Sequence, residues 1–245
     1  MTSASPSVPP DPAAGESLRR FQPFDLLPPE AAAALEPLLE TRRYRLGQLV
    51  LRADVMPEGL LLLCSGSLRS LGNDPVDEQW RTIEQLQPGA IVGWCGILRG
   101  APCEQLRASA EAELLLLPAP AFRDLLAAHQ PVRRWFERSL PGAELYTTLR
   151  AIHRQAPAWL PALQTWPAIR QHASIRSLPP EAEAALELPP DLIWHISSGG
   201  NLGQRWEPQQ TLSSTPAAGT AWLRLVGLPP DPEASQRSSA SSPSL

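Results

Sequence analysis

The sequence predicts an α+β fold: an antiparallel β-roll (a double-stranded jelly roll) with flanking helices, followed by a Pro-rich helical segment and a small β element. Three observations predict it. From Tyr44 to Leu117 the chain is a series of short apolar runs, punctuated by Gly47, Gly59, Gly66, Gly72 and Gly89. Short strands turning back at such intervals build a sandwich or roll. On both sides of this stretch the apolar spacing changes to a helical one. Beyond Leu140 prolines interrupt every helical run; the chain holds 29 in all.

Taken in order, residues 1–18 are rich in Pro, Ser and Ala with little to bury, and are expected to form a disordered tail. Residues 19–140 form the first domain. "LPPEAAAALE" starts a helix, with proline at its first turn and an acidic residue beside it; Pro37 ends it early. "LRASAEAELLLLPAP" supplies a closing strand, Glu113–Leu117. "AFRDLLAAHQPVRRWFERSL" returns to helical spacing, with Phe122, Leu125, Leu126, Val132, Trp135 and Phe136 on the apolar side. Residues 141–190 read as a helical segment broken by Pro157, Pro161, Pro167 and Pro179. Residues 191–228 read as a small β element, from "DLIWHISSGG" and "TAWLRLVG"; residues 229–245 are a second disordered tail. "LPPEAAAALE" at Leu27 returns as "LPPEAEAALE" at Leu178, which suggests a truncated repeat.

The composition narrows the function. The net charge is −4 and the 21 cations are all arginine, so no general field favours nucleic acid or an anionic membrane. No apolar run reaches the roughly 20 residues of a membrane span. The N-terminus has neither the basic nor the apolar region of a secretory signal, and the expectation is a cytoplasmic protein. Cys64, Cys95 and Cys103 lack metal-ligand spacing and are expected to be reduced, buried thiols. His129, His153, His172 and His195 lie on separate elements without a ligand partner nearby, so no metal is expected. No Cys–His–Asn pattern is visible, and the expectation is that the chain is not an enzyme.

The stretch "LQPGAIVGWCGILRGAPCEQLRAS" has the outline of a phosphate-cradling loop: a Gly-led turn, a short helical run, then a proline and a strand. Together with Arg45-Leu46-Gly47-Gln48 before a strand, the "EGLLLLCSGSLRSL" hairpin and the helical run after the roll, it resembles the cyclic nucleotide-binding domain of the catabolite activator protein and its relatives. The resemblance implies a ligand site made by Gly93, Trp94, Cys95, Gly96, Pro102, Cys103, Glu104 and Arg107. In that family a glutamate directly after the glycine binds the ribose, and an arginine directly after the proline pairs with the phosphate. Those positions hold Trp94 and Cys103 here. Losing a buried Arg–phosphate pair removes bonds of roughly 1.5–3 kcal/mol each, so the cassette reads as degenerate for cAMP and cGMP. Trp94 would plug the pocket or stack on a flat ligand; Arg107 would replace the missing cation or lie on the surface; Glu104 would sit on the rim; Cys95 and Cys103 would be inert thiols or a redox latch. A weak anionic or nucleotide ligand stays open, and no other cofactor is expected.

"GW", "RG-PCE" and "W-x-x-SSGG" are also similar to the N-terminal cytoplasmic region of cyanobacterial type I secretion or peptidase-containing ABC exporters. The implied function is a regulatory or docking module beside an ABC exporter or other protein partner, held at the inner face of the membrane through that partner. A homodimer stays open, and the sequence does not decide whether the helix after the roll would form it. The alternative is a ligand-sensing transcription regulator of the same superfamily. Residues 141–228 show no recognisable helix-turn-helix and carry six arginines, so no nucleic-acid partner is expected.

Overall fold

The computed structural model describes residues 16–180, 186–207 and 221–230. The chain enters through α1 (Glu16–Arg19) and α2 (Pro29–Leu35). Residues 16–18 therefore depart from the disordered tail expected over 1–18. Leu18, Phe21 and Phe24 recur at helical spacing, and burying all three in one core orders the segment. The rest of that tail lies outside the described residues.

The roll is two antiparallel four-stranded sheets. Strands β1 (Glu40–Tyr44), β2 (Leu49–Leu51), β3 (Gly59–Ser65), β4 (Leu68–Asn73), β5 (Trp80–Leu86) and β6 (Ile91–Val92) precede the cassette helix α3 (Trp94–Arg99). Strands β7 (Gln105–Ala108) and β8 (Ala112–Pro118) follow it. One sheet runs β1-β8-β3-β6 and the other β2-β7-β4-β5. The expected fold class is what the chain adopts.

The leucine run of β3 explains how the roll joins its helices. Leu61 and Leu63 point into the roll, with Leu68, Leu106 and Leu114. Leu60 and Leu62 point the other way, into a core shared with α3 and the next two helices. Alternation along a strand puts successive side chains on opposite faces, so a run without polar positions must be covered on both. The covering helices are α4 (Ala119–Ala128) and α5 (Gln130–Arg138). The single helical run read from the sequence divides at His129, where Pro131 can only join a helix in its first turn.

Helices α6 (Gly142–Gln155), α7 (Leu160–Gln164) and α8 (Trp166–Arg170) come next. Strands β9 (Ser174–Leu178), β10 (Ile193–Ile196) and β11 (Leu223–Leu228) form a third antiparallel sheet, ordered β10-β11-β9. The helical segment expected over 141–190 thus ends in a strand, because "SIRSL" has the central β11 to pair with. This region is not separate from the roll. Tyr146 of α6 packs its ring against Gly72 of β4, where a Cβ would come within 2.4 Å of it. Trp222 enters the core with α3, and its amide donates to the Leu98 carbonyl. Of the two repeat copies, the first leads into α2, while Leu178 of the second ends β9; residues 181–185 lie outside the described residues. In the second expected tail, Pro229 and Pro230 continue from β11, and 231–245 lie outside the described residues.

Candidate functional site

The cassette is built as a tight turn into a short helix. Gly93 has φ +82°, and a Cβ there would meet the Gly59 carbonyl at 2.8 Å, so the position requires glycine. All six residues of α3 are buried, and Gly100 closes it at φ +66°. Gly96 lies against Pro57.

A cavity of about 310 Å³ lies between the roll, the cassette and the α5–α6 connection. Of the eight sequence-assigned residues, only Trp94 and Glu104 line it. The sequence missed Ser70, Glu84, Trp135, Ser139 and Arg170, which complete much of its wall. Among the described residues Arg170 is the only cation in that wall, and it is engaged at 2.8 Å with Glu84.

Glu104 is not a solvated rim residue. It is 6% exposed, and its Oε2 accepts the Gly93 amide at 2.7 Å. Burial, followed by the negative character of Cys103, pushes its carboxyl well above the usual range; the Gly93 hydrogen bond offsets only part of this. Arg107 does not supply the missing cation. Leu106 and Ala108 take the inner positions of β7, so Arg107 lies between them on the outer face and donates to the Gly47 carbonyl at 2.9 Å.

Trp94 is packed as a plug. Phe136 stands edge-on to it at 5.0 Å, Trp135 lies at 6.3 Å, and the Arg224 guanidinium sits 5.4 Å from its ring centre. Behind Trp94 is a buried ion pair that the sequence reading did not find. Arg224 donates from Nε to Glu144 Oε1 at 2.8 Å and from Nη2 to Oε2 at 2.7 Å, and both side chains are wholly buried. Its other bonds go to the Phe136 and Ser139 carbonyls and to Ser177 Oγ. Ser197 Oγ donates to Glu144 Oε1 at 2.7 Å, and Cys95 Sγ reaches Oε2 at 3.3 Å. Burial alone would raise the Glu144 carboxyl, but Arg224's charge and hydrogen bonds outweigh it and hold the group below its ordinary value. One signal for this pair was present: "WLRLVG" sets an arginine inside an apolar strand, and β11 is buried along its whole length.

Among the described residues no group of His, Cys, Asp and Glu could hold a metal ion, and no helix is long and apolar enough to cross a membrane. His195 is packed beside Trp159, with Nδ1 3.1 Å from the Gly203 carbonyl.

Residues 41–129 match the family model of the cyclic nucleotide-binding domain. That stretch runs from β1 to the end of α4 and includes the whole cassette. No curated protein matches the sequence. Among solved structures, the chain is similar to a cyclic nucleotide-binding domain from Methylobacillus flagellatus, at 20% identity over 50% of this chain and 70% of that one, with a TM-score of 0.43. It is similar to a cyclic nucleotide-binding-like protein from Brucella abortus, at 22% identity over 46% and 97%, TM-score 0.40. A third is the regulatory subunit of a cAMP-independent protein kinase A from Trypanosoma brucei, at 20% identity and TM-score 0.42; the match covers 50% of this chain and 47% of that subunit.

Proposed function

We propose that this chain is a non-enzymatic regulatory or docking module in which the cyclic-nucleotide cassette has become a packing surface and no longer binds cAMP or cGMP. The observation that carries this reading is the Glu104–Gly93 hydrogen bond of 2.7 Å. A phosphate held by such a turn needs free amides and a cation. Here a carboxyl group of the protein takes the Gly93 amide, and the only arginine among the described residues of the cavity wall is engaged with Glu84. The plugged Trp94 and the Glu144–Arg224 pair behind it tie the cassette to α6 and β11 instead. The partner class in this reading is the ABC exporter implied by the sequence resemblance, with the chain held at the inner face of the membrane by that partner. The remaining cassette residues assigned from sequence, Cys95, Gly96, Pro102 and Cys103, serve as packing and not as ligand contacts.

The test is a thermal melt of the full chain with and without millimolar cAMP, cGMP and a cyclic dinucleotide. A ligand present at about a hundred times its Kd adds roughly 2.7 kcal/mol. At this chain length that raises Tm by roughly 5–10 °C. The expected result is no rise with any of them. A clear rise with one would overturn the reading.

A further inference from the structure

One row of side chains crosses the inner face of the roll next to the cassette. Ser70 of β4 stands opposite Leu106 of β7 on one side and Glu84 of β5 on the other, and strand pairing turns all three toward the cavity of about 310 Å³. Ser70 is 2% exposed, and its Oγ has no hydrogen-bond partner among the described residues. A buried hydroxyl in that state is costly, and groups so placed are ordinarily met by a partner. Glu104 reaches the same space from just before β7. Its Oε2 is taken by the Gly93 amide, which leaves Oε1 as an acceptor. Glu84 accepts from Arg170 at Oε1 and keeps Oε2.

The wall is therefore rich in acceptors. Among the described residues it holds two carboxyl groups and one guanidinium, and the guanidinium is already engaged. Trp94 and Trp135 close it with ring centres 6.3 Å apart, and indole is the side-chain ring that best attracts a cation. Leu86, Leu106 and Leu140 give it aliphatic surface as well. Its volume is at the small end of ligand pockets.

We propose that this cavity binds a small organic cation, an ammonium group on an apolar body, with the ammonium held by Glu104 and Ser70 and the body against the tryptophans and leucines. An ammonium presents three donors and no acceptor, which matches oxygens that have acceptor sites to spare. A phosphate or carboxylate would meet the two carboxyl groups instead. The inference rests on the reading above, in which the Gly93 amide is closed to phosphate, and adds the ligand that the remaining space accepts. Burial is the largest influence raising the Glu104 carboxyl, and a bound cation supplies the counter-charge that favours its ionised form.

The test is isothermal titration of the full chain at pH 8. It compares phenethylamine, protonated at that pH, with two probes of similar shape, the uncharged 2-phenylethanol and the anionic 3-phenylpropanoate. The amine should bind with a Kd of about 1 mM or tighter and about tenfold more tightly than the alcohol, and the acid should not bind. Glu104→Gln keeps an acceptor for the Gly93 amide and removes the charge, and should bring the amine down to the affinity of the alcohol. Ser70→Ala should weaken the amine by a few-fold. Arg170→Ala frees Glu84 and should tighten it, a sign expected only for a cation in this cavity. Circular dichroism checks that each variant is folded. Cyclic AMP is titrated alongside; its binding would overturn the loss of nucleotide binding and not the amine result. The proposal is overturned if the amine does not bind, if it binds no better than the alcohol, or if Glu104→Gln leaves its Kd unchanged.

Discussion

Two buried glutamates meet the cassette, and they hold their protons in opposite ways. Glu104, on the cavity side, is pushed up by burial, then by the negative character of Cys103. Glu144, on the side of α6 and β11, is subject to the same burial but faces Arg224 and is held down. Burial disfavours both charged forms, and the difference is made by the neighbours. A single amide hydrogen bond leaves Glu104 with a raised pKa. A bidentate guanidinium with two further hydrogen-bond donors keeps Glu144 ionised. The lesson concerns where the cassette's electrostatics now act. On the cavity side, the only cation among the described residues of the wall is already engaged with Glu84. On the other side, the strong ion pair belongs to the protein itself.

The contrast can be broken most forcefully at the ion pair. Glu144→Gln leaves Arg224 buried without its charge partner and is expected to cost about 3–5 kcal/mol in chemical denaturation. Replacing both, Glu144→Leu with Arg224→Met, should recover most of that loss, because no uncompensated charge remains. A double variant as unstable as the single one would show that geometry and not charge is what the pair supplies. Trp94→Ala comes next, at about 3 kcal/mol, since it removes the ring that Phe136 and Arg224 pack against.

Glu104→Gln should act in the opposite direction. With the folded pKa raised above the ordinary 4.5, the unfolded chain loses the proton first. Glu104 therefore lowers stability progressively as pH rises from the unfolded value to the folded one. The glutamine variant is expected to be more stable than the parent at pH 8, by on the order of 1 kcal/mol, with the gain vanishing towards the unfolded value. For Glu144 the sign is reversed. Its contribution is present above the ordinary carboxylate value and is lost as pH falls through the lowered folded one. Denaturation curves of the parent and Glu104→Gln across pH 4–8 separate the two residues. The smallest effect is expected at the cavity wall. Arg170→Ala breaks a part-exposed pair with Glu84 and should cost less than about 1 kcal/mol.

Much of this molecule could be read before its structure. The glycine-punctuated apolar runs specify a roll, since strands that short must turn at those glycines and bury alternate residues. The leucine run of β3 announces a strand covered on both faces. The resemblance that sets Trp94 and Cys103 at the two charged positions of the cassette rests only on the order of residues there. What sequence could not place were directions and distant pairings. Arg107 stood as a candidate cation until β7 turned it outward, and Glu104 as a rim residue until the turn at Gly93 drew it inside. Strand alternation and turn geometry fix such choices only once the neighbouring strands are in register.

The sequence by itself determined the roll and the turn-helix-strand order of the cassette, because these depend on local periodicity and on residue types at short spacing. Tertiary structure alone decided that the region after Leu140 folds back on the roll and that Glu144 meets Arg224 beneath Trp94. Eighty residues separate the members of that pair. No local propensity encodes their meeting; it follows from packing α6 and the third sheet onto the cassette, where a buried arginine had to find a carboxylate.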